Sequence, residues 1–255
     1  MIAMFSYRIF KVWRRDFIVW QKYFMASLAA NFAEPLLYLL AMGYGLGKLV
    51  PDLNGMTYAE FIAPAILITT VMNASSFETT FSSYTRMEVQ KTFNAIAMTP
   101  VSMADVVVGE ILWAATKATL TSSVIFLVLA VFDLIPSAWV ALMPLVMGCT
   151  GLLFASLGMV MTSIARSYDF FTYYFTLVIS PMFLFSGTFF PLDNLPGWVK
   201  TLAYFLPLTY PVRVARHLFA GSFGAFDALA LVGMLAAAAI LMLISVKRLV
   251  KRLVV

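Results

Sequence analysis

Ionisable side chains inside long apolar stretches are the residues of this sequence with the clearest capacity for chemistry. Glu34 lies in the first apolar stretch, and Lys117 lies near the middle of the third. A charge within the hydrocarbon core of a bilayer is costly, and such residues are usually paired or functional. We therefore expect Glu34 and Lys117 to form a buried ion pair. A proton relay is the alternative, although no second buried His, Asp or Glu continues it outward.

The motifs of hydrolases and nucleotide-binding proteins are absent. The sequence has no GxxxxGK[ST] phosphate loop, no HExxH and no GxSxG nucleophile elbow. His217 is the only histidine, which excludes a histidine metal cluster, and the lone Cys149 excludes an intrachain disulfide. We predict that this chain is not an enzyme and carries no cofactor of its own. A membrane enzyme is an alternative that no acid–base constellation supports.

The composition is typical of a polytopic membrane protein. Of 255 residues, 62% are hydrophobic and 11% are charged, against about 45–50% and about 25% in soluble domains. A transmembrane helix needs about 20 apolar residues, and six stretches reach that length. We predict an all-α membrane fold in a single transmembrane domain over residues 1–255, with spans at 24–47, 58–81, 103–132, 138–165, 170–190 and 226–246.

Lysine and arginine residues are distributed unequally between the two sides of these spans. Twelve lie on the side that holds both termini, four lie on the other side, and Lys117 lies inside a span. Cytoplasmic segments carry the excess of basic residues in membrane proteins. We predict that both termini are cytoplasmic. The net charge of +5 then reflects membrane topology, and no nucleic-acid partner is expected.

Residues 1–23 precede the first span and have an amphipathic pattern. Ile9, Trp13, Phe17 and Trp20 recur at helical spacing, whereas basic residues lie mostly on another face. This pattern is typical of a helix that lies in the membrane interface with its basic side toward anionic headgroups. The lipid bilayer is therefore an expected partner of this segment.

The only substantial cytoplasmic loop runs over residues 84–99, between the second and third spans. It combines polar and apolar side chains, among them Arg86, Met87, Lys91, Phe93 and Ile96. The pattern is compatible with a solvated loop helix. It is equally compatible with a short helix that docks in a groove of a cytoplasmic partner.

Residues 191–221 contain two apolar pieces that are too short to cross a bilayer. Each has roughly 12 residues, or about 18 Å of helix, against about 30 Å of hydrocarbon. Broken helices at membrane depth need cover from protein, or they line a water-filled cavity. We predict a re-entrant outer gate that is hinged at Gly187 and contains Trp198, Arg213 and Arg216.

Seven stretches of sequence, in order over nearly the whole chain, carry a family resemblance. They are W-R-R-D-F-I-V-W-Q-K from Trp13, N-F-A-E-P-L-L-Y-L from Asn31, F-E-T from Phe77, D-V-V-V-G-E-I-L-W-A-A-T-K-A from Asp105, F-A-S-L-G-M-V from Phe154, S-Y-D-F-F from Ser167 and S-P-M-F-L-F-S-G-T-F-F-P-L-D-N-L-P from Ser180. The chain resembles the type-2 ABC exporter permeases, and most closely their nodulation-factor (lipooligosaccharide) branch. Glu34 stands where that branch has aspartate, which is a conservative departure.

The resemblance implies a homodimer in the bacterial inner membrane, served by two copies of a separate cytoplasmic ABC ATPase that holds ATP and Mg²⁺. Residues 84–99 would then be the coupling helix that contacts the ATPase. Tyr173 and Tyr174 are candidate stacking surfaces for sugar along the path, although lipid-facing or core packing is the commoner role of such residues.

The resemblance also implies a class of substrate. It is a lipid-linked oligosaccharide, a polysaccharide or another amphipathic compound, moved outward from the cytoplasm or inner leaflet. Export of a drug or small lipid by the same fold is the alternative. Proton-coupled secondary transport is a weaker one.

Overall fold

The computed structural model describes residues 6–45, 47, 49, 56–132, 134–135, 137–194 and 196–254. Within this part of the chain the regular elements are helices, which confirms the all-α prediction there. The α-helices are α1 Arg8–Gln21, α2 Phe24–Tyr38, α3 Tyr58–Phe77, α4 Thr92–Ala97, α5 Met103–Val131, α6 Met143–Ile164, α7 Asp169–Tyr174, α8 Ser180–Phe185, α9 Gly197–Phe205, α10 Thr209–Phe219 and α11 Ala225–Val254. Residues 1–5 of the predicted interface helix lie outside the described residues.

Three of these helices continue through wider π-helical turns. The turns follow α2, follow α3 and join α7 to α8, and they cover Leu39–Gly45, Glu78–Ser82, Thr85–Val89 and Phe175–Ile179. π-turns are rare and are frequent at functional sites. Residues of the turns after α3 and between α7 and α8 line the two cavities described below.

Five described helical segments are long and apolar enough to cross a membrane. They are Phe24–Gly43, Tyr58–Val89, Met103–Val131, Ala138–Ile164 and Ala225–Leu253. They correspond to five of the six predicted spans, and two of them extend at least seven residues beyond the predicted cytoplasmic end. The predicted span at 170–190 is represented by a shorter apolar helix, Asp169–Phe185, whose bounds enclose 17 residues.

Helix α3 lies at the centre of the bundle. Most of its side chains are buried, and it packs against α5, α6 and α10. A helix that is hydrophobic all round is expected in such a central place. Its first turn is fixed by a capping box, in which the Thr57 hydroxyl accepts the Glu60 N–H and the Glu60 carboxylate accepts the Thr57 N–H.

The amphipathic helix α1 packs directly on α5. A Cβ atom added at Gly109 would lie 2.7 Å from the Val12 Cβ and 3.1 Å from the Ile9 carbonyl oxygen, so only glycine permits this approach. The aromatic stripe of α1 surrounds Trp113, with ring centroids 6.2 Å away for Trp13 and Phe17 and 5.8 Å away for Trp20. The predicted apolar stripe therefore faces α5.

Hydrogen bonds gather the predicted cytoplasmic segments at one end of the molecule. Arg252 in α11 donates to the carbonyl oxygens of Thr162 and Ala165 at the end of α6, at 3.1 and 2.7 Å, and to the Glu88 carboxylate at 2.8 Å. Arg8 donates to the Pro100 carbonyl at the same end. The first helix, the 84–99 loop and the C-terminal helix are thus neighbours.

The opposite end contains the broken segment. The α8 helix ends at Phe185, and Gly187 then adopts a φ of +81°, a left-handed conformation that favours glycine. The two short helices that follow, α9 and α10, match the predicted short pieces, and Leu195 before α9 lies outside the described residues. The chain therefore turns sharply at the residue predicted to be the joint.

Candidate functional site

A cavity of about 570 Å³ opens between α2, α3 and the α7–α8 segment. We call it the membrane cleft, because all of its walls are apolar helices. Its lining comprises Glu34, Pro35, Tyr38, Ile66, Thr69, Thr70, Asn73, Ala74, Phe77, Phe175, Ile179, Ser180 and Phe183. Small-molecule sites in proteins have similar volumes, with mostly apolar walls and a few polar groups.

Three polar side chains of the membrane cleft are exposed, Ser180 in α8 and two that belong to membrane-spanning helices. These two are Glu34 in α2 and Asn73 in α3. Glu34 forms no ion pair with another described residue. A free carboxylate is too costly in hydrocarbon, so this wall must face water, a polar substrate or another polypeptide. Glu34 and Asn73 together offer hydrogen-bond acceptors and an amide donor.

The predicted ion pair between Glu34 and Lys117 is wrong in this structure. Lys117 Nζ lies 2.6 Å from Glu78 Oε2, while Glu78 Oε1 accepts hydrogen bonds from Arg86 at 2.9 Å and from the Trp113 indole at 3.2 Å. The physical reason is the π-turn that continues α3. This turn brings the Glu78 carboxylate to the Lys117 amine and buries it. Sequence position placed Glu78 at the edge of a span and so concealed its burial.

A second buried carboxylate, Glu110, completes a network with these residues. It accepts hydrogen bonds from Arg15 at 2.6 Å, from Arg86 at 2.6 and 3.0 Å, and from the Ser83 hydroxyl at 2.7 Å. Arg86 therefore bridges Glu78 and Glu110. The sequence predicts that Arg86 lies in a loop. The spacing of acidic and basic residues does not reveal that Arg86 bridges two buried carboxylates.

Asp16 joins the network from the surface helix. Its Oδ1 atom accepts hydrogen bonds from the Arg15 guanidinium at 3.1 and 2.7 Å. Burial and the nearby Glu110 carboxylate raise the pKa of Asp16 to about 7, although Arg86 and Arg15 oppose the shift. A buried carboxylic acid with such a pKa changes its charge near physiological pH.

The structure corrects the predicted surface role of residues in the 84–99 loop. Met87 and Phe93 are buried in the hydrophobic core, and Arg86 is held in the charge network, so these three side chains do not form an exposed contact surface. Lys91 adopts a left-handed φ of 54°, which divides the loop into a π-turn and the short helix α4. Ile96 is half-buried.

The exposed part of the loop keeps Lys91 from the predicted residues and adds other side chains. Lys91, Asn94, Ala95 and Met98 are exposed on and beside α4, and Met98 is 90% exposed. Phe93 fixes α4 against the bundle from beneath. The loop therefore presents a small surface of polar and apolar side chains, and Phe93 anchors it to the helical bundle.

The predicted gate residues fall into two groups. Arg216 is internal, because its guanidinium donates to the Gly187 and Thr188 carbonyl oxygens and lies 3.8 Å from the centroid of the Phe61 ring. It therefore holds the turn after α8 against α3. Arg213 and Trp198 are exposed, and the Arg213 guanidinium lies 4.1 Å from the centroid of the Phe226 ring.

The predicted stacking residues Tyr173 and Tyr174 do not line the membrane cleft. Tyr173 is exposed on another face, and Tyr174 is buried in the core. Two other aromatic side chains of this segment, Phe175 and Phe183, line the cleft. The π-turn that starts at Phe175 shifts the helical phase, which periodicity alone does not reveal.

Metal chemistry has no candidate site in the described part of the chain. No group of three or more His, Cys, Asp or Glu side chains is placed there to hold a metal ion. His217 instead bonds Asp227 at 2.7 Å and connects α10 to the start of α11.

Comparisons with known proteins place the chain among transport proteins. The ABC-2 type transporter family matches residues 7–220. Nodulation protein J of Rhizobium leguminosarum bv. trifolii is 43% identical over 212 residues, covering 82% of this chain and 80% of that protein. The protein of the same name from Bradyrhizobium diazoefficiens is 35% identical over 83% of this chain and 80% of its own length. The inner membrane transport permease YadH of Escherichia coli is 20% identical over 87% of this chain and 86% of its own length.

Proposed function

Because this chain belongs to the ABC-2 type transporter family and is a multi-pass transmembrane transport subunit, we propose that it exports an amphipathic saccharide. The substrate class is a lipid-linked oligosaccharide, or a polysaccharide with a lipid anchor, and it moves outward from the cytoplasmic side. The similarity to Nodulation protein J supports this class. The family implies an ATPase partner, and ATP and Mg²⁺ bind to that partner because this chain has no phosphate loop.

The membrane cleft is the observation that carries this proposal. Glu34, Asn73 and Ser180 supply hydrogen-bonding groups, and Tyr38 and Phe183 supply flat apolar surfaces, in one cavity at membrane depth. Sugars combine hydroxyl groups with apolar faces, so this mixture suits them. In the assembled transporter, the cleft contributes one wall of the translocation path.

Assembly as a homodimer explains the exposure of this wall. Little of the described Phe24–Gly43 span is buried within one chain, although this span carries Glu34. A second copy that faces α2 would enclose the two clefts and remove Glu34 from lipid. Two ATPase subunits would serve this dimer.

The six-span topology forms part of the proposal. The 17-residue helix Asp169–Phe185 is about 25 Å long, and its neighbours contact both ends of the molecule. Tyr168 lies 2.8 Å from the Thr85 hydroxyl at one end, and the Gly187 carbonyl accepts a hydrogen bond from Arg216 at the other. This helix thus counts as the fifth of six spans, with both termini in the cytoplasm of a bacterial inner membrane.

The α4 surface is the proposed contact with the ATPase. Its exposed residues Lys91, Asn94 and Met98 replace the buried ones as direct contacts, and Phe93 transmits force to the bundle. Met98→Asp should reduce co-purification of the ATPase without lowering thermal stability. Ala225→Asp, an exposed change at the first residue of α11 at the opposite end, is the matched control. Equal co-purification of both variants would contradict this assignment.

ATPase measurements test the proposed function. The chain is co-purified with its ABC ATPase partner, reconstituted in nanodiscs, and assayed for ATP hydrolysis with lipid-linked glycans and with hydrophobic drugs. We expect the glycans to stimulate hydrolysis and Glu34→Ala to reduce the stimulation. Stimulation by drugs alone would identify a drug exporter instead.

A further inference from the structure

A second cavity, of about 540 Å³, lies beside the surface helix α1 and is separate from the membrane cleft. We call it the interface cleft. Its walls come from α1, the start of α2, the π-turns after α3, and α5, and they include Arg15, Asp16, Trp20, Tyr23, Arg86 and Lys117. Its volume falls within the range of small-molecule binding sites. None of the residues that line the membrane cleft lines this cavity.

Two residues that line the interface cleft each carry a buried polar atom without a partner among the described residues. Asp16 is 5% exposed, and its Oδ2 atom has no hydrogen-bond partner among the described residues, although Oδ1 is bonded to Arg15. The Nη1 atom of Arg15 is likewise buried and unpartnered there. Buried polar atoms are rarely left without partners. These two atoms provide one acceptor and one donor on adjacent residues of the cleft.

The charge balance of the cleft favours an uncharged ligand. Three cations that line the cleft, Arg15, Arg86 and Lys117, are bonded to three carboxyl groups, of which Asp16 and Glu78 belong to the lining and Glu110 does not. Each cation is already bonded to at least one carboxylate. A phosphate would have to compete for these cations against bonded carboxylates, whereas a hydroxyl or acetamido group needs only the unpartnered donor and acceptor.

Aromatic side chains complete the lining. Trp20 is half-buried, and Tyr23 is 66% exposed at the start of α2. Such rings present a broad apolar face with a polar edge, which suits the C–H face of a pyranose.

We propose that the interface cleft is a loading site for an uncharged sugar unit of the substrate. Asp16 Oδ2 accepts a hydrogen bond from a sugar hydroxyl, Arg15 Nη1 donates to a sugar oxygen, and Trp20 packs against the ring. The side of loading and the substrate class rest on the proposed export function, but binding of a sugar to this cleft is measurable without ATP or a partner. The charge state of Asp16 is coupled to such binding, because a donated hydrogen bond favours the ionised carboxylate.

Calorimetric titration of the full chain in nanodiscs tests this site. The probes are soluble neutral tetrasaccharides of glucose and of N-acetylglucosamine, and glycoside detergents are excluded because their headgroups compete. We expect Asp16→Ala to weaken binding about tenfold, which corresponds to one hydrogen bond to a charged group. Asp169→Ala, an exposed acid-to-alanine change outside the cleft, should leave the affinity unchanged.

A conservative variant separates recognition from folding. Asp16→Asn keeps an acceptor oxygen, so it should retain part of the affinity. Wild-type affinity should rise between pH 6 and pH 8, because Arg15, Arg86 and Glu110 surround a carboxyl group that ionises in this window, and the Asn variant should lose this pH dependence. A flat wild-type profile, or a rise that the Asn variant retains, would overturn the proposed contact.

Three further outcomes would overturn the site. They are the absence of saccharide binding to the wild type, unchanged affinity in Asp16→Ala, and stronger binding of glycerol phosphate than of the tetrasaccharides. If Glu34→Ala abolishes binding while Asp16→Ala does not, the sugar binds in the membrane cleft alone, and the export function stands without a loading site. If the sugar binds as proposed but no ATPase is stimulated, the loading site stands and the export function fails.

Discussion

At the scale of single residues, the buried charge network determines which substitutions the chain tolerates. Glu78 receives hydrogen bonds from Lys117, Arg86 and Trp113, and Glu110 receives them from Arg15, Arg86 and Ser83. Removing one partner of a buried pair leaves an uncompensated charge, which commonly costs about 3–5 kcal/mol. Stability measurements can therefore identify which residue pairs with each buried carboxylate.

A double-mutant cycle distinguishes the observed pair from the predicted one. Lys117→Met should lower the apparent melting temperature strongly, because Glu78 then keeps only Arg86 as a cation partner. Adding Glu78→Gln should recover part of the loss, whereas adding Glu34→Gln should not. Recovery with Glu34→Gln and strict additivity with Glu78→Gln would contradict the structure.

Asp16 gives the protein a predictable dependence on pH. Its pKa in the folded state, about 7, lies above its ordinary value of 3.8. The folded state thus holds this proton more tightly, and the resulting stabilisation is complete below about pH 4 and is lost as the pH rises through 7. The melting temperature of the wild type, relative to that of Asp16→Asn, should therefore fall between pH 5 and pH 8. A constant difference across this range would show that the pKa of Asp16 is not raised.

At the scale of helices, the packing of α1 on α5 depends on one glycine. Gly109→Ala would place a methyl group 2.7 Å from Val12 Cβ, and backbone atoms of α1 limit the room for adjustment. We expect α1 to separate from α5, with faster amide hydrogen exchange over residues 8–21. Gly148→Ala in α6 is the matched control, because no atom lies within 4 Å of its added Cβ. Unchanged exchange in the Gly109 variant would contradict this packing.

The sequence predicts the helices better than it predicts their contacts. Apolar length located five membrane-crossing segments within a few residues, except at the C-terminal ends of Tyr58–Val89 and Ala225–Leu253, and the two short apolar pieces predicted α9 and α10. Contacts depend on helix phase and depth. The π-turns after Phe77 and before Ser180 change that phase, and they conceal the burial of Glu78 and the exposure of Phe175 to the cleft.

The candidate sites were predictable only in part. A carboxylate within an apolar span identified Glu34 as unusual, and the structure places it in the membrane cleft. The Asp16 site forms because α1 approaches α5 closely at Gly109. The glycine in D-V-V-V-G-E indicates such an approach, but hydrophobic periodicity takes no account of it. The pattern of the 84–99 loop is compatible with a solvated helix and with a docking helix, because nothing in the local sequence shows that Arg86 turns inward.

At the scale of the whole molecule, the two ends differ in charge and in contacts. Arg8, Glu88 and Arg252 lie at one end, whereas Arg216 and His217 lie at the other. Exposed positions for labelling are available at both ends, and Cys149 is buried. Lys11→Cys, Gln90→Cys and Lys251→Cys should resist an impermeant thiol reagent in spheroplasts and react after lysis, while Asn194→Cys should react in both. The reverse pattern would contradict the proposed orientation.

Transbilayer movement of a labelled substrate tests the central claim most directly. The chain and its ATPase are reconstituted in liposomes, a fluorescent lipid-linked oligosaccharide is supplied on the side that the ATPase faces, and an impermeant quencher reports its position. We predict movement to the other side that requires ATP, fails with an ATPase lacking its catalytic glutamate, and slows in Glu34→Ala. Movement driven by a proton gradient without ATP, or movement at equal rates with and without ATP, would contradict the account.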